Sequence, residues 1–355
     1  MNWSPFLLAH LPFVHGEPVC SAVLRAEPED FQVDEILGFP PSGEGEHVFL
    51  QVRKRNQNTA WVAEQLARTA GLKPDGVSYA GLKDRRAVTT QWFSLHLPGK
   101  ALPDLSALWS DDIQLVTQTF NQRKLKRGAH QGNRFVITLR EVEGDRFAIE
   151  ARLQQLSALG VPNYFGPQRF GHDNGNLQAG EALLQQKPRR RLSHRESLAL
   201  SAVRSALFNG VLGERIRQRN WNKALPGDVL MLDGRGSFFR PEAGDDAIAQ
   251  RLATMELHLT GPMPGSGSSV VSADVAALEQ AVFGDCAELL QALANFGVDE
   301  QRRALRLRAA GLAWEWLDES SLRLAFALPS GAFATSVLRE LATLRQTRLE
   351  AIPVE

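Results

Sequence analysis

The chain has 355 residues, 43% of them apolar, which is enough for two domains with buried cores. Lys plus Arg and Asp plus Glu both number 40, so the net charge is zero. Average charge therefore gives no sign of a nucleic-acid partner, and any such reading has to rest on local basic clusters. The two cysteines, Cys20 and Cys286, are too far apart in sequence for a disulfide framework or a metal-ligand spacing, and they suit a reducing cytoplasm. No histidine pair shows HxH or HxxxH spacing, so no metal site is expected. The N-terminal string MNWSPFLLAHLPF has no basic leader, a short proline-broken apolar run and no small-residue cleavage site. No signal peptide is expected. No apolar run approaches the ~18 residues of a membrane span.

In chain order, Ala22–Ile36 and His47–Arg55 alternate apolar and polar residues as strands do. Asn58–Ala70 reads as a helix, with Asn58 or Thr59 as N-cap and Gly71 as stop. Strand-like runs at Val77–Ala80 and Trp92–Leu97 flank a polar loop. Phe135–Val142 is β-rich, and a helix at about Arg146–Leu159 ends at Gly160. The middle is more helical, with a long amphipathic helix at Leu198–Arg217 and a second helical region at Ala273–Asn295, interrupted near Gly284. Between them lie a short β-like piece, Asp228–Phe239, and a loop, Gly261–Ser269. Strand character returns at Leu305–Ala309, Leu312–Leu317 and Leu322–Leu328, followed by a helix at about Ala334–Leu344. This order allows one domain inserted into another or two domains in series.

The polar loop lies within YAGLKDRRAVTTQ, Tyr79–Gln91, and sets Asp84 between Lys83 and the pair Arg85–Arg86. A loop held between strands fixes a side chain firmly, and neighbouring cations stabilise a carboxylate anion. By itself the string reads as a solvated turn, because charged turns are common. Phe135 begins an apolar strand and, by type and position, reads as a core aromatic. Asn133, two residues earlier, points to the same face of an extended chain. The densest cationic runs are Arg123–Arg127 and Lys187–Arg195, which read either as solvated faces or as phosphate-binding surfaces. The Gly234–Ser237 string GRGS lacks the GxxxxGK pattern of a phosphate loop.

Six strings occur together in one order: PEDFQVDE at Pro28–Glu35, GEGEH at Gly43–His47, YAGLKDRRAVTTQWF from Tyr79, GNRF at Gly132–Phe135, NYFGPQRFG at Asn163–Gly171 and SGAFATSVLR at Ser330–Arg339. Through them the chain, from about residue 20 to about residue 343, resembles the TruD family of tRNA pseudouridine synthases. The resemblance implies an α+β fold, in which a mixed, mostly antiparallel sheet with flanking helices is interrupted by an inserted α/β domain. It selects the insertion over domains in series. The catalytic domain is expected at 1–158 and 308–355, and the insertion at 159–307.

The same resemblance implies a cofactor-free, cytoplasmic enzyme that isomerises a uridine at position 13 of the tRNA D-arm, with no obligate protein partner. Asp84 takes the role of nucleophile. Arg25, where the family commonly has Lys, faces it. Phe135 is implied to stack on the flipped base, Asn133 to read the base edge or brace the loop, and Phe333 to lie near the site. Lys83, Arg85, Arg169, Arg189, Arg190 and Arg191 are the expected RNA contacts. Two other readings remain: a non-catalytic RNA-binding or RNA-chaperone protein on this fold, which the intact Asp84 loop argues against, and a metal-dependent hydrolase, which lacks partner ligands for Asp84.

Overall fold

Alternating β-branched and aromatic residues drive the first part of the chain into strands. The computed structural model describes residues 2–99, 101–188, 191–242 and 247–346. Its first strands are β1 (Cys20–Leu24), β2 (Phe31–Ile36), β3 (His47–Arg55), β4 (Val77–Tyr79), β5 (Val88–His96), β6 (Ile113–Asn121) and β7 (Gly132–Gly144). Helix α1 (Thr59–Thr69) follows β3. Asn58 caps it by accepting from the Ala60 N–H at 2.8 Å, and Gly71, at φ +63°, lies just past its end. Val62, Ala63, Leu66 and Ala67 form its buried stripe against Val48, Leu50 and Val52 of β3 and Phe93 and Leu95 of β5. Burying one large side chain of this kind is worth ~1.5–3 kcal/mol.

Helix α2 (Arg146–Leu159) stops at Gly160, φ +74°. Beyond it come β8 (Val161–Pro162), α3 (Pro167–Phe170), α4 (Gly175–Leu184), α5 (His194–Arg217), β9 (Leu230–Leu232), β10 (Phe238–Phe239), α6 (Ala247–Ala253), β11 (Leu257–Met263), α7 (Ala273–Phe283), α8 (Ala287–Asn295), β12 (Gln301–Ala304) and β13 (Arg306–Leu307). The buried helix α5 organises this region. Leu200, Val203, Leu207, Phe208 and Leu212 pack in one core with Leu11, Tyr164, Phe165 and Leu259. Strands order as β10-β9-β11-β12 in one small sheet, and β8 pairs β13 in another.

The chain then forms β14 (Ala310–Trp316), β15 (Leu322–Pro329), α9 (Ala334–Arg339) and β16 (Ala342–Gln346). Contacts divide the protein into two units. A sheet unit takes Pro18–Glu150, Ala309–Gly331 and Leu341–Glu355; a middle unit takes Met1–Glu17, Ala151–Arg308 and Ala332–Glu340. The middle unit thus gathers, besides the whole range of the expected insertion, residues 1–17, 151–158, 308 and 332–340, which the sequence reading places in the catalytic domain. The sheet unit carries a mixed sheet in the order β14-β15-β7-β2-β5-β3-β6, to which β1, β16 and β4 add. Its pairings are antiparallel except β2 with β5 and β1 with β16.

Three expectations need correcting. The helix expected from Leu198 starts at His194, because Ser193 and Glu196 form a capping box: Ser193 Oγ accepts from the Glu196 N–H at 3.2 Å, and Glu196 Oε2 from the Ser193 N–H at 2.7 Å. The loop expected from Gly261 begins later, since β11 continues to Met263. Gly261 marks a close approach there: an added Cβ would stand 2.8 Å from Leu305 and 3.0 Å from Phe208. The last expected helix ends at Arg339, and the chain from Ala342 pairs in parallel with β1. A free strand edge outweighs local helix propensity at that point. Strand β6 and helix α4 had no counterpart in the sequence reading.

In the middle unit Arg215 and Asp228, each with a side chain 1% exposed, form a bidentate pair with both bonds at 3.1 Å. Asp228 Oδ2 also accepts the Leu225 N–H at 2.8 Å. Removing one member strands the other charge in the interior. Asp228→Ala should therefore lower stability by about 3–5 kcal/mol in urea unfolding.

Candidate active site on the sheet face

Strand register fixes which side chains share a face, because directly paired residues project the same way. Lys54 pairs with Thr89, Thr89 with Val33, Val33 with Phe135 and Phe135 with Phe326. One row therefore runs Lys54, Thr89, Val33, Phe135, Phe326 across five strands. The next row on the same face holds Gln91 of β5, Glu35 of β2, Asn133 of β7 and Leu328 of β15. The face is polar toward β3 and aromatic toward β15. Phe135, 7% exposed, stacks on Phe326 at 5.6 Å between ring centroids and meets Phe31 edge-on at 6.2 Å.

The loop between β4 and β5 is fastened to this polar end. Thr59, the first residue of α1, accepts the Lys83 N–H at 3.0 Å and donates to Gln91 Oε1 at 2.8 Å. Gln91 Nε2 donates to the Gly81 carbonyl at 3.2 Å. Lys83 turns inward, its side chain 5% exposed, and its ammonium meets Glu35 Oε2 at 2.6 Å. The other Glu35 oxygen accepts the Trp92 N–H at 3.1 Å, beyond the point where the β2–β5 ladder ends. Lys54, fully buried, donates to the carbonyls of Gln57 at 2.7 Å and Asp84 at 3.3 Å. Burial pushes the Lys54 ammonium down to about 8; the nearby Asp84 opposes that shift and Lys83 adds to it.

Asp84 stands at the solvent end of this framework with its side chain 42% exposed, ion-paired through Oδ2 to Arg25 Nη2. Arg25 sits just after β1 in a left-handed conformation, φ 61°, unusual for a residue with a Cβ and a mark of local strain. Its guanidinium lies 4.0 Å from the centre of the Phe31 ring, and its carbonyl accepts from Arg86 Nη2 at 3.4 Å. The Asp84 carboxylate and the Arg25 guanidinium are thus contiguous with Phe31, which leads into the buried aromatic row. His130 closes the far side of the loop: Ser330 Oγ lies 3.2 Å from its Nε2, and an added Cβ on Gly81 would come within 3.3 Å of its ring. Burial, and then the Lys83 charge, hold the His130 imidazole below its ordinary value.

Four buried polar atoms of this neighbourhood have no hydrogen-bond partner in the protein: Arg25 Nε, Thr89 Oγ1, His130 Nδ1 and Asn133 Oδ1. Unpaired buried polar atoms are costly, and these four cluster around an exposed carboxylate, which makes this face the candidate site. Among the described residues no group of three or more His, Cys, Asp or Glu is arranged to hold a metal ion. Cavities of about 710, 510 and 490 Å³ lie in the middle unit, and none is lined by an expected site residue.

The structure brings Arg25, Lys83, Asp84, Asn133 and Phe135 together within the sheet unit. Lys83, expected at the RNA surface, is instead an internal cation committed to Glu35. Arg85 is exposed beside Asp84. Phe333 belongs to the middle unit and meets Phe165 edge-on at 6.2 Å. Arg169 lies over that same Phe165 ring at 5.1 Å, donates to Ser201 Oγ at 3.2 Å, and is held below its ordinary value by burial. Arg191 is exposed, while Arg189 and Arg190 lie outside the described residues. Sequence reasoning missed Lys54, Thr59, Gln91, Glu35, Phe31, Phe326 and His130. A lysine at a buried phase of an alternating strand was the available signal for Lys54.

Comparison with known proteins shows the family of the chain. The family model described as tRNA pseudouridine synthase D (TruD) matches residues 9–195 and 192–341. A tRNA pseudouridine synthase D of Xanthomonas campestris pv. campestris is 53% identical over 344 residues, covering 93% of this chain and 94% of that one. One of Methylococcus capsulatus is 50% identical over 333 residues, with coverage of 93% and 94%. The crystal structure of a Methanosarcina mazei protein named for the same family superposes with a TM-score of 0.72 at 21% identity, covering 93% of this chain and 95% of that one, and shows the shared fold. Since the matched residues span nearly the whole chain, it belongs to the tRNA pseudouridine synthase D (TruD) family.

Proposed function

We propose that this chain isomerises a uridine of tRNA, at position 13 of the D-arm, to pseudouridine, in the cytoplasm and without a cofactor. Family membership supports the reaction and the substrate class. The observation that carries the site is Asp84, an exposed carboxylate on a pinned loop, paired to Arg25 beside a half-polar, half-aromatic sheet face. The reaction breaks the N1–C1′ bond and forms a C5–C1′ bond. C5 gives up its proton, N1 ends as N–H, and there is no net redox change. A carboxylate serves this chemistry by attack at C1′ or C6, or by taking a proton at C2′. Arg25 orients Asp84 through a charged hydrogen bond.

Asn133 Oδ1, buried and unpartnered, suits the N3–H donor of uracil, and the rim of Phe135 suits its π-face. Arg85, Arg169, Arg191 and Phe333 are proposed RNA contacts on the family resemblance. A protein on this fold that only binds RNA would keep the cationic surface and dispense with the oriented carboxylate.

Three outcomes are expected. Asp84→Ala and Asp84→Asn should bind tRNA nearly as wild type does, because phosphate contacts dominate affinity. Neither should release tritium from C5-labelled uridine in a single turnover; wild-type release by either variant would overturn the assignment. Lys54 should make activity fall as pH rises through about 8, because its folded value lies below the ordinary lysine value and the buried charge beside Asp84 is lost above it. Lys54→Met should be slower at pH 7 and should lose that alkaline limb in a pH–rate profile. Phe135→Ala should melt lower by the equivalent of ~3–5 kcal/mol, because the ring also packs against Phe31 and Phe326. A variant that melts like wild type but cannot modify tRNA would make base stacking the sole role of the ring.

A further inference from the structure

The loop that carries Asp84 also carries Leu82, whose side chain is 64% exposed. An isolated exposed leucine is ordinary on a protein surface. This one is held in an unusual way. The carbonyl before it, on Gly81, accepts from Gln91, and the N–H after it, on Lys83, donates to Thr59. The next side chain, Lys83, is anchored inward on Glu35. Leu82 is therefore projected into solvent by a framework buried on both sides of it. Exposure alternates along the loop, with Leu82 and Asp84 outward and Lys83 inward. Leu82 and Asp84, both outward and two residues apart, have Cα atoms no more than about 7 Å apart. Stacked nucleotides repeat every ~3.4 Å along a strand, so an apolar group at this distance reaches the neighbours of a nucleotide drawn to Asp84.

We propose that Leu82 is an apolar wedge that enters the RNA stack at the place vacated by the target uridine. Resting on the assignment of Asp84 above, the inference names what stabilises the substrate in its extruded state. A uridine in a folded tRNA must leave its stack before its glycosidic bond meets a carboxylate, and unstacking is unfavourable. Aliphatic side chains inserted between base steps relieve that penalty by covering the exposed base faces. A loop whose backbone is already fixed loses little conformational entropy on insertion. The adjacent Arg85 is exposed and cationic, as a residue beside an RNA backbone would be.

The test compares wild type, Leu82→Ala and Leu82→Met on two substrates in single-turnover tritium release. One is the intact tRNA transcript. The other carries an abasic residue next to the target uridine, so that no neighbouring base face remains to be covered. On intact tRNA Leu82→Ala should be slower by roughly tenfold, with unchanged melting and tRNA binding, and Leu82→Met should recover most of the rate. On the abasic substrate the three proteins should react alike. In an Asp84→Asn background, the fluorescence rise of 2-aminopurine placed beside the target should shrink with Leu82→Ala. Equal rates on intact tRNA, or the same loss on both substrates, would overturn the wedge. Loss of release in Asp84→Asn together with an unaffected Leu82→Ala would overturn the wedge alone. Release that persists in Asp84→Asn would overturn the assignment of Asp84 and the wedge with it.

Discussion

Everything at this site depends on fastening a short polar loop to the sheet from below. The pivot is the internal ion pair between Lys83 and Glu35, whose side chains are 5% and 0% exposed. Burying two charges is costly, and such a pair adds little net stability over apolar residues of the same shape. Its value here is positional. It forces Lys83 inward, and the residues on either side of Lys83 must then face outward. Thr59, Gln91 and Lys54 fasten the neighbouring backbone, so the loop has little freedom to move the carboxylate of Asp84. Precision of this kind matters in catalysis, where a misplacement of an ångström removes much of the rate.

The sheet divides its face between polar and aromatic residues. Toward β3 it presents buried polar groups that hold the loop; toward β15 it presents the rings of Phe31, Phe135 and Phe326. Arg25 joins the two ends, binding the Asp84 carboxylate while lying over Phe31. Its left-handed backbone shows that the chain accepts local strain to bring the guanidinium there. An arginine suits this double contact, since a planar guanidinium both pairs with a carboxylate and lies flat on a ring.

The middle unit follows other rules. Its core is organised by a single helix buried on several sides, and close approaches at Gly180 and Gly261 let neighbouring backbone and rings come near. Two internal arginines there are neutralised in place, Arg215 by Asp228 and Arg302 by Glu279. Those pairs are closed and fully bonded. In the sheet unit Arg25 Nε, Thr89 Oγ1, His130 Nδ1 and Asn133 Oδ1 are unpartnered instead, around the loop that carries the exposed Asp84 carboxylate.

Local pattern carried most of the strands, α1 with its Asn58 cap, and the loop with Asp84 between cations, because periodicity, capping and turn chemistry act over a few residues. The string around Asp84, matched to a family, carried the candidate acid. Long-range pairing decided the rest. Only the register of four strands places Lys54, Glu35, Gln91 and Asn133 on one face, although they are scattered from residue 35 to residue 133. Only the fold turns Lys83 inward, since nothing in a run of basic residues says which of them meets a buried carboxylate. The segment after Arg339 became a strand because β1 offered it an edge, a choice that no local propensity encodes. Sequence by itself determined most of the elements and singled out the candidate acid; tertiary structure decided its surroundings, because burial and cross-strand pairing join residues that the chain keeps far apart.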